Sequence, residues 1–341
     1  MKAIILAGGE GTRLKSVTGD LPKPMVRLCG KPVLEHILDL LKRCCVREAC
    51  MALRYRPDTI RSYFGDGSSF GMKLSYHEEG MQLGTAGAVR ACSAFCGDRD
   101  FLVIAGDCIC DFDLKALMEA HHRHQSAVTM ALYAHEQPLQ YGIVLTDRED
   151  RVVSFVEKPD WSRVVSDLVN TGIYVISPAA MQLVPEGHDF DFAKDLFPLL
   201  LERGYEIRAV RMDGYWCDIG TPRSYFQCCL DALDGKVRLD GVERNTVEHP
   251  GYTRRPEGGA RRTYNCRSRA RLMRALSQSL MEAGADYTDG LSLDHDTGHV
   301  RIAPATDSEA IEIIARAADP SKSAELADGF LGFVKGMDRQ I

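Results

Sequence analysis

A glycine-rich loop follows a short apolar segment at the start of the chain, and this feature constrains the fold most strongly. The apolar run Lys2–Leu6 has the length and composition of a buried β-strand. The loop after it, Leu6–Pro24, reads LAGGEGTRLKSVTGDLPKP. Glycine lets backbone N–H groups approach a phosphate closely, and cationic side chains supply charge that peptide dipoles cannot. The segment therefore predicts a polyphosphate site at the end of a strand, with these candidates: Gly8, Gly9, Gly11, Arg13 and Lys23.

The loop differs from the two common nucleotide-binding fingerprints. The dinucleotide pattern requires a third glycine where the helix opens, and Leu14 stands at that position. The P-loop pattern ends in Gly-Lys-Ser or Gly-Lys-Thr, and no such tripeptide follows a suitably spaced glycine here. The loop thus predicts phosphate binding without matching either fingerprint.

The complete motif, GGxGTRL followed by LPKPMV, resembles the signature of the sugar-1-phosphate nucleotidyltransferases, which make nucleotide sugars. The resemblance covers residues 1 to about 235 and includes YFGDGSxFG, LGTAG, NTGIY and YWCDIG. Within this family the motifs are most similar to the mannose-1-phosphate guanylyltransferases. The resemblance implies a Mg²⁺-dependent enzyme that converts GTP and mannose 1-phosphate to GDP-mannose and pyrophosphate.

Two alternatives stay open at this point. Enzymes that transfer a uridylyl, thymidylyl, cytidylyl or guanylyl group to another sugar 1-phosphate, of the glucose, heptose or muramate type, share many of these motifs. A protein of another class, a non-catalytic nucleotide-sugar sensor, would bind nucleotide without releasing pyrophosphate.

The nucleotide side of the site is expected in two segments. The resemblance places LGTAG, which begins at Leu83, over the nucleobase and ribose. Glu78, Glu79 and Gln82 precede it and offer acceptors for the N1–H and N2–H₂ donors of guanine, so the residues favour guanine over uracil or thymine. The expected nucleotide-binding residues are Leu6, Ala7, Gly8, Gly9, Gly11, Thr12, Arg13, Gln82, Gly84 and Thr85.

Two aspartates are the candidate ligands for the metal ion. Asp107 follows the predicted buried strand Phe101–Ala105 and one glycine, where ligand sites of open α/β sheets gather. Asp218 lies among aromatic and apolar residues in YWCDIG. Mg²⁺ is usually held by one or two carboxylates together with phosphate oxygens. The resemblance gives both aspartates this role, and we expect Arg13, Lys23 and Asp107 to be the catalytic residues.

Three short segments are expected to bind the sugar phosphate, because their order YGIV, FVEKP and NTGIYV resembles the sugar-binding run of the family. The lysine of FVEKP is placed to meet the phosphate, and its glutamate to meet a sugar hydroxyl. The amide of NTGIYV offers both a donor and an acceptor. The expected residues are Gly142, Glu157, Lys158, Asn170 and Thr171.

Length and charge limit the class of protein. A chain of 341 residues is expected to form about two domains. Its net charge of −6 argues against binding of nucleic acid by the chain as a whole, and no apolar run approaches the roughly 20 residues that span a bilayer. The twelve cysteines include no CxxC pair, which favours reduced thiols over zinc sites. We therefore expect a cytoplasmic protein.

The pattern of elements predicts an α/β fold with two domains. Residues 1–235 alternate β-like and helical segments, which is typical of a Rossmann-like, mostly parallel sheet. Residues 236–264 are rich in glycine, proline and arginine and predict a linker. Residues 265–341 predict a small α+β domain that is close to the lower size limit for independent stability. Such a domain is expected to dock on the large domain or on a second subunit, as in a homodimer.

The C-terminal domain resembles the last domain of phosphohexomutases. Where an active mutase carries a phosphate loop RPSGTEP, this chain reads APATDSEA over residues 303–310, without the arginine and glycine and with an added aspartate. An acidic loop repels phosphate, so we expect this domain to be non-catalytic. The arginines that begin at Arg254 and continue to Arg274 predict either a solvated face or docking against acidic residues, and lack the aromatic platform of nucleic-acid sites.

Overall fold

The protein is described here by a computed structural model that covers residues 1–135, 138–157, 166–240, 259–280, 291–295, 297–305, 310–317 and 319–340. Two compact units divide the chain. One comprises Met1–Tyr133, Thr146–Ser154 and Asn170–Thr246, and the other comprises Ala134–Leu145, Phe155–Val169 and Val247–Ile341. Among the described helices, none is long and apolar enough to cross a membrane.

The elements alternate as expected along the first two thirds of the chain. The strands are β1 (Ala3–Leu6), β2 (Arg27–Leu28), β3 (Lys31–Pro32), β4 (Glu48–Leu53), β5 (Lys73–Glu78), β6 (Phe101–Ala105), β7 (Cys108–Cys110), β8 (Val128–Ala134), β9 (Gly142–Thr146), β10 (Val152–Glu157), β11 (Leu168–Ile176), β12 (Ile207–Arg211), β13 (Trp216–Asp218), β14 (Ala260–Asn265), β15 (Leu291–His295), β16 (Gly298–Pro304) and β17 (Ala310–Ala317). The helices are α1 (Lys15–Thr18), α2 (Val33–Arg43), α3 (Pro57–Phe64), α4 (Gly84–Cys92), α5 (Leu114–His124), α6 (Pro178–Met181), α7 (Phe197–Glu202), α8 (Pro222–Leu233), α9 (Arg269–Leu280) and α10 (Pro320–Gln340).

A mixed, mostly parallel sheet forms the centre of the first unit. Strand β1 pairs in parallel with β4 on one side and with β6 on the other, and β5 extends the parallel edge beyond β4. The antiparallel strand β11 closes the other side of β6. The residues of β1, β4 and β6 are almost fully buried, because helices cover both faces of such a sheet. This arrangement confirms the predicted α/β fold with a mostly parallel sheet.

The parallel pairing of β1 and β6 positions the glycine loop. Both strands run in the same direction, so the segments after Leu6 and after Ala105 leave the sheet at the same edge. The backbone N–H of Gly106 donates a 2.8 Å hydrogen bond to the carbonyl of Leu6. A Cβ on residue 106 would lie 2.6 Å from that carbonyl oxygen, so only glycine allows the two loops to come this close.

The second unit contains a four-stranded antiparallel sheet in the order β14-β17-β16-β15. Helices α9 and α10 pack on it, and their apolar residues share one cluster with the sheet, including Leu272, Leu276 and Ile313. This domain confirms the expected small α+β fold near the C-terminus.

Two features of the second unit differ from the predicted boundaries. Strand β14 covers residues that were predicted to belong to the linker 236–264, because its alternating exposed and half-buried side chains include arginines that conceal the period of two. The segment Ala134–Leu145, predicted to belong to the catalytic domain, groups with the C-terminal residues. Its fully buried Ile143 belongs to the same apolar cluster as Leu272.

At Gly84, the first residue of α4, we expect a single added methyl group to lower the stability of the fold strongly. Gly84 has a φ of +68°, and a Cβ there would lie 2.5 Å from Asp189 Oδ1 and 2.6 Å from the carbonyl oxygen of Phe190. Gly187 has a similar φ of +71° with no atom within 4 Å of its Cβ position. Both alanine variants therefore incur the left-handed backbone cost of about 1–2 kcal/mol, but only Gly84→Ala adds a steric cost of about 1–3 kcal/mol.

Urea unfolding of the two variants tests this difference. We expect Gly84→Ala to lower the free energy of unfolding clearly more than the matched control Gly187→Ala does. Equal losses in the two variants would contradict the close packing of residue 84 against residues 189 and 190.

Candidate active site

A small two-stranded sheet brings the two predicted metal ligands together. Strands β7 and β13 pair antiparallel, and Asp218 lies opposite Cys108, the residue that follows Asp107. The N–H of Ile219 also donates to the carbonyl of Asp107, at 3.3 Å. Residues 111 positions apart in sequence thus present their carboxylates at one place, next to the edge of the main sheet where β1 and β6 end.

The ammonium group of Lys23 lies between these two carboxylates. Its Nζ donates to Asp107 Oδ2 at 2.5 Å and to Asp218 Oδ1 at 3.0 Å. The lysine side chain is only 8% exposed, whereas those of Asp107 and Asp218 are 37% and 28% exposed. The cation is therefore enclosed by the protein, and the two anions keep an outer side that faces solvent.

Two local features hold the lysine in this position. Pro22 and Pro24 flank it, and a single helical turn, Lys23–Met25, fixes the direction of the backbone. Gly11, with a φ of +68°, packs on its stem, since a Cβ at residue 11 would lie 2.7 Å from Lys23 Cβ. The glycine loop therefore does more than expose backbone N–H groups, because it also makes room for the buried lysine.

The charges of this cluster shift the pKa values of its members. Burial alone would lower the pKa of Lys23, but the charges of Asp107 and then Asp218, with their hydrogen bonds, outweigh it and raise the pKa. Burial, followed by the charge of Asp107, raises the pKa of Asp218, and the opposing effects of Lys23 and Arg13 are smaller. Two carboxylates thus share one ammonium, and the negative charge of Asp218 is only partly neutralised.

This arrangement fits a divalent cation. Two carboxylate groups with solvent-facing oxygens and a surplus of negative charge are the protein contribution that Mg²⁺ commonly receives, the rest coming from phosphate and water. In the described part of the chain, no cluster of three or more histidine, cysteine or acidic residues offers a complete all-protein metal site. A metal ion at Asp107 and Asp218 would therefore depend on further ligands from a bound substrate.

Arg13 reaches the same cluster from the glycine loop. A Cβ placed on Gly220 would lie 2.8 Å from Asp218 Oδ2 and 3.1 Å from Arg13 Nη2, so the guanidinium stands beside the Asp218 carboxylate. Arg13 is exposed and so is available to an anion. The structure therefore brings together Arg13, Lys23, Asp107 and Asp218, the four residues that the sequence analysis assigned to the triphosphate and the metal ion.

The remaining residues of the loop divide into anchored and open positions. The N–H of Ala7 donates to the carbonyl of Ala52 at 2.9 Å, and the carbonyl of Gly8 accepts a longer bond of 3.4 Å from the N–H of Tyr55. Gly9 and Thr12 are exposed. The start of the predicted nucleotide-binding segment is thus fixed to the sheet, while its middle faces solvent.

Glu79 faces the glycine loop from the end of β5. A Cβ at Gly8 would lie 3.1 Å from Glu79 Oε1 and 3.4 Å from the backbone N and the Cβ of Arg54. Burial raises the pKa of Glu79 and exceeds the opposing effects of Arg54 and of a hydrogen bond from the Leu83 backbone. Glu78, by contrast, pairs with Arg61 at 3.2 Å. Of the two candidate glutamates, Glu79 is therefore the one beside the loop.

Arg54 is a residue of this region that sequence reasoning missed. It directly follows β4, a strand parallel to β1, and it adjoins Glu79 and Gly8. A cation immediately after a buried parallel strand was the available signal, because the ends of neighbouring parallel strands meet at one edge.

The start of α4 is occupied by contacts within the protein. The N–H groups of Ala86 and Gly87 both donate to the carbonyl of Phe190. Thr85 donates its hydroxyl to Asp191 Oδ2 at 2.8 Å and accepts from the N–H of Phe192 at 3.0 Å. The side chain of Thr85, expected to bind nucleotide, thus serves to join two segments, whereas Gln82 is exposed.

The predicted sugar-phosphate residues lie in both units. Thr171 is buried, and its hydroxyl donates to the carbonyl of Ala131 at 2.7 Å. The hydroxyl thus joins two strands of the sheet, and the assignment of Thr171 to the sugar phosphate stays a prediction. Asn170 Oδ1 accepts from the Gly172 N–H at 3.1 Å and from the Tyr174 hydroxyl at 2.9 Å. Its amide nitrogen is the part of the side chain left for other contacts.

The other sugar-phosphate residues belong to the second unit. Gly142 begins β9 and Glu157 ends β10. Lys158 lies outside the described residues, so its assignment stays a prediction.

Comparison with known proteins identifies the family of this chain. The sequence profile of the family described as Nucleotidyl transferase matches residues 2–235. The chain belongs to the sugar-1-phosphate nucleotidyltransferase family. It is therefore a nucleotidyltransferase, as the glycine loop and the motifs after it predicted.

Relatives within the family differ in substrate. The chain is 34% identical to a UTP–glucose-1-phosphate uridylyltransferase of Synechocystis, over 75% of this chain and 68% of that protein. It is 32% identical to a mannose-1-phosphate guanylyltransferase of Mycobacterium tuberculosis, over 73% and 70%. The crystal structure of HddC from Yersinia pseudotuberculosis complexed with GMP-PN has a TM-score of 0.60 and 31% identity, and covers 68% of this chain and 99% of HddC. The comparisons thus support the reaction class and leave base and sugar open.

The position of Thr171 generates a prediction about stability. Thr171→Val keeps the shape of the side chain but leaves the buried carbonyl of Ala131 without its partner. We expect the free energy of unfolding to fall by about 1–3 kcal/mol, with no more than a small change in the KM for the sugar 1-phosphate. Denaturant unfolding and steady-state kinetics check the two parts. A large rise in KM at unchanged stability would instead support Thr171 as a substrate-binding residue.

Proposed function

We propose that this nucleotidyltransferase is a Mg²⁺-dependent mannose-1-phosphate guanylyltransferase, which makes GDP-mannose and pyrophosphate from GTP and mannose 1-phosphate. The observation that carries the chemistry is the cluster of Lys23 and Arg13 with the two aspartates at the end of β1 and β6. A phosphate oxygen of the sugar 1-phosphate attacks the α-phosphorus in line, and pyrophosphate leaves.

The cationic residues of the cluster act on the triphosphate. Phosphoryl and nucleotidyl transfer need positioning and positive charge more than covalent chemistry from the protein. Arg13 is exposed on the glycine loop and binds phosphate oxygens, and its planar guanidinium can form two parallel hydrogen bonds. Lys23 carries a charge that its raised pKa keeps at neutral pH, and it orients the leaving group.

The two aspartates would hold the metal ion. When bound there, Mg²⁺ supplies positive charge that offsets the charge of the triphosphate and of the developing pyrophosphate. Asp107 and Asp218 are suited to this because their carboxylates converge and keep exposed oxygens.

Glu79 supports guanine as the base. Its carboxylate is half-buried beside Gly8 and can accept from the N1–H and N2–H₂ groups of guanine, whereas uracil offers only one such donor. Relatives named as mannose-1-phosphate guanylyltransferases from several organisms agree with this choice. The similarly close uridylyltransferase makes uridylyl transfer to glucose 1-phosphate the second candidate.

The sugar side of the proposal depends on Gly142, Glu157, Lys158 and Asn170. Lys158 would meet the phosphate of the incoming sugar, and Glu157 a sugar hydroxyl. Cytoplasmic location, a homodimer and a non-catalytic C-terminal domain likewise stay predictions of the sequence.

Pyrophosphate release from a matrix of substrates tests the specificity. We expect GTP with mannose 1-phosphate to give the highest kcat/KM among the five common NTPs and a panel of sugar 1-phosphates. A maximum at UTP with glucose 1-phosphate would replace the proposal by the second candidate. Release in no combination would favour a nucleotide-sugar sensor.

Removal of one carboxylate tests the metal assignment. Asp107→Asn should lower kcat by about a hundredfold or more, because it takes one charged ligand from the site, while the circular dichroism spectrum stays unchanged. Asp98→Asn is a matched control, since Asp98 is an exposed carboxylate near the opposite end of the same strand β6. Substantial residual activity in Asp107→Asn would contradict the role of this residue.

A further inference from the structure

We infer that Lys23 is a resident counter-ion that competes with the metal ion for Asp107 and Asp218, so that cation binding becomes favourable only when a nucleotide gives the lysine a new partner. This inference rests on the proposed metal site and extends it to the order of events. In the free protein Nζ bonds both carboxylates at once, at 2.5 and 3.0 Å.

The competition follows from charge. Two carboxylates hold one ammonium, and a divalent ion on the same oxygens would stand within a few ångström of it. Like charges a few ångström apart repel each other, and the repulsion is stronger at a protein surface than in bulk water because the effective dielectric constant is lower. The lysine must therefore withdraw from at least one carboxylate when the ion enters.

Withdrawal has a cost that depends on what else is bound. The Lys23 side chain is 8% exposed, so an ammonium that leaves its carboxylates without another acceptor stays poorly solvated. The stem is held by Gly11 and the flanking prolines, which restricts the movement to the end of the side chain. A triphosphate on the glycine loop offers acceptor oxygens within that range.

The two binding events are consequently coupled through Lys23. Metal binding frees the ammonium for the triphosphate, and the triphosphate stabilises the lysine position that metal binding requires. By thermodynamic reciprocity each ligand raises the affinity for the other. The contribution of Lys23 is separate from direct coordination of the metal by phosphate, because it acts even on binding of the metal alone.

Binding of Mn²⁺ without nucleotide isolates this contribution, with free Mn²⁺ measured by electron paramagnetic resonance. Lys23→Gln removes the competing charge and should lower the Kd for Mn²⁺ by roughly tenfold, a size usual for coupled sites. Lys23→Arg keeps a cation and should bind Mn²⁺ as weakly as the wild type does.

The matched control Lys15→Gln removes a charge from the same segment, but Lys15 is 58% exposed and pairs with Glu10 at 3.5 Å. Its Kd should stay close to that of wild type, because exposed charges are screened.

The outcomes separate the inference from the proposed metal site. If Lys23→Gln binds Mn²⁺ no better than Lys15→Gln, while Asp107→Asn abolishes Mn²⁺ binding in the presence of a non-hydrolysable GTP analogue, the inference is overturned and the metal site stands. If Asp107→Asn and Asp218→Asn leave that Mn²⁺ binding unchanged, the metal site itself is wrong.

A second measurement on the wild-type enzyme decides the matter if Lys23→Gln does not fold. The ¹⁵N resonance of Lys23 Nζ should shift when Mg²⁺ and the GTP analogue bind together, and stay near its free position with the same concentration of Mg²⁺ alone. A resonance that does not move in the ternary complex would overturn the inference.

Discussion

The candidate active site depends on one ammonium shared by two carboxylates. Lys23 is 84 residues from Asp107 and 195 residues from Asp218, so these two hydrogen bonds join three distant parts of the chain. A different structural element positions each residue: the proline-flanked turn for Lys23, the end of β6 for Asp107, and the small sheet of β7 and β13 for Asp218. Gly11 and Gly106 leave the space that allows these elements to pack closely.

The shared cation also explains why the cluster is stable before any ligand binds. Two like charges held this close together without a partner would be costly, and the lysine offsets part of that cost. The balance is incomplete, as the raised pKa of Asp218 indicates. A site of this kind is folded and yet receptive to further positive charge, which suits an enzyme whose substrate arrives as a polyanion with its counter-ions.

Much of the fold and of the candidate site could be predicted from the sequence, because many of the signals are local. A buried apolar strand followed by Gly-Asp indicated Asp107, and the parallel alternation of elements indicated the sheet. The direct contact of Lys23 with both aspartates could not be predicted, because it depends on the register between β7 and β13. The contact of the Thr171 hydroxyl could not be predicted for a related reason: its neighbours form a motif, but the direction of its side chain is set by the pairing of β11 with β8.

The unpredicted features share a dependence on tertiary context. Arg54 was not predicted as a site residue, and it becomes a neighbour of the predicted Glu79 only because β4 and β5 run in parallel. Strand β14 is rich in arginine, and its pairing with β17 is the reason that it is a strand rather than a linker. In both cases a long-range partner outweighs the local composition.

The register of β7 and β13 limits how this site can change in evolution. Asp218 is opposite Cys108, and the buried Trp216 is opposite Cys110. Side chains alternate between the two faces of a strand, and Asp218 and Trp216 share one face. A shift of the register by one residue would therefore turn the carboxylate away from Asp107 and at the same time expose the indole of Trp216. The strand register can change only by whole residues, so it cannot adjust the distance between the two aspartates gradually. Gradual adaptation to another ion or substrate must therefore come from substitutions at residues around the pair, such as those that surround the Lys23 side chain.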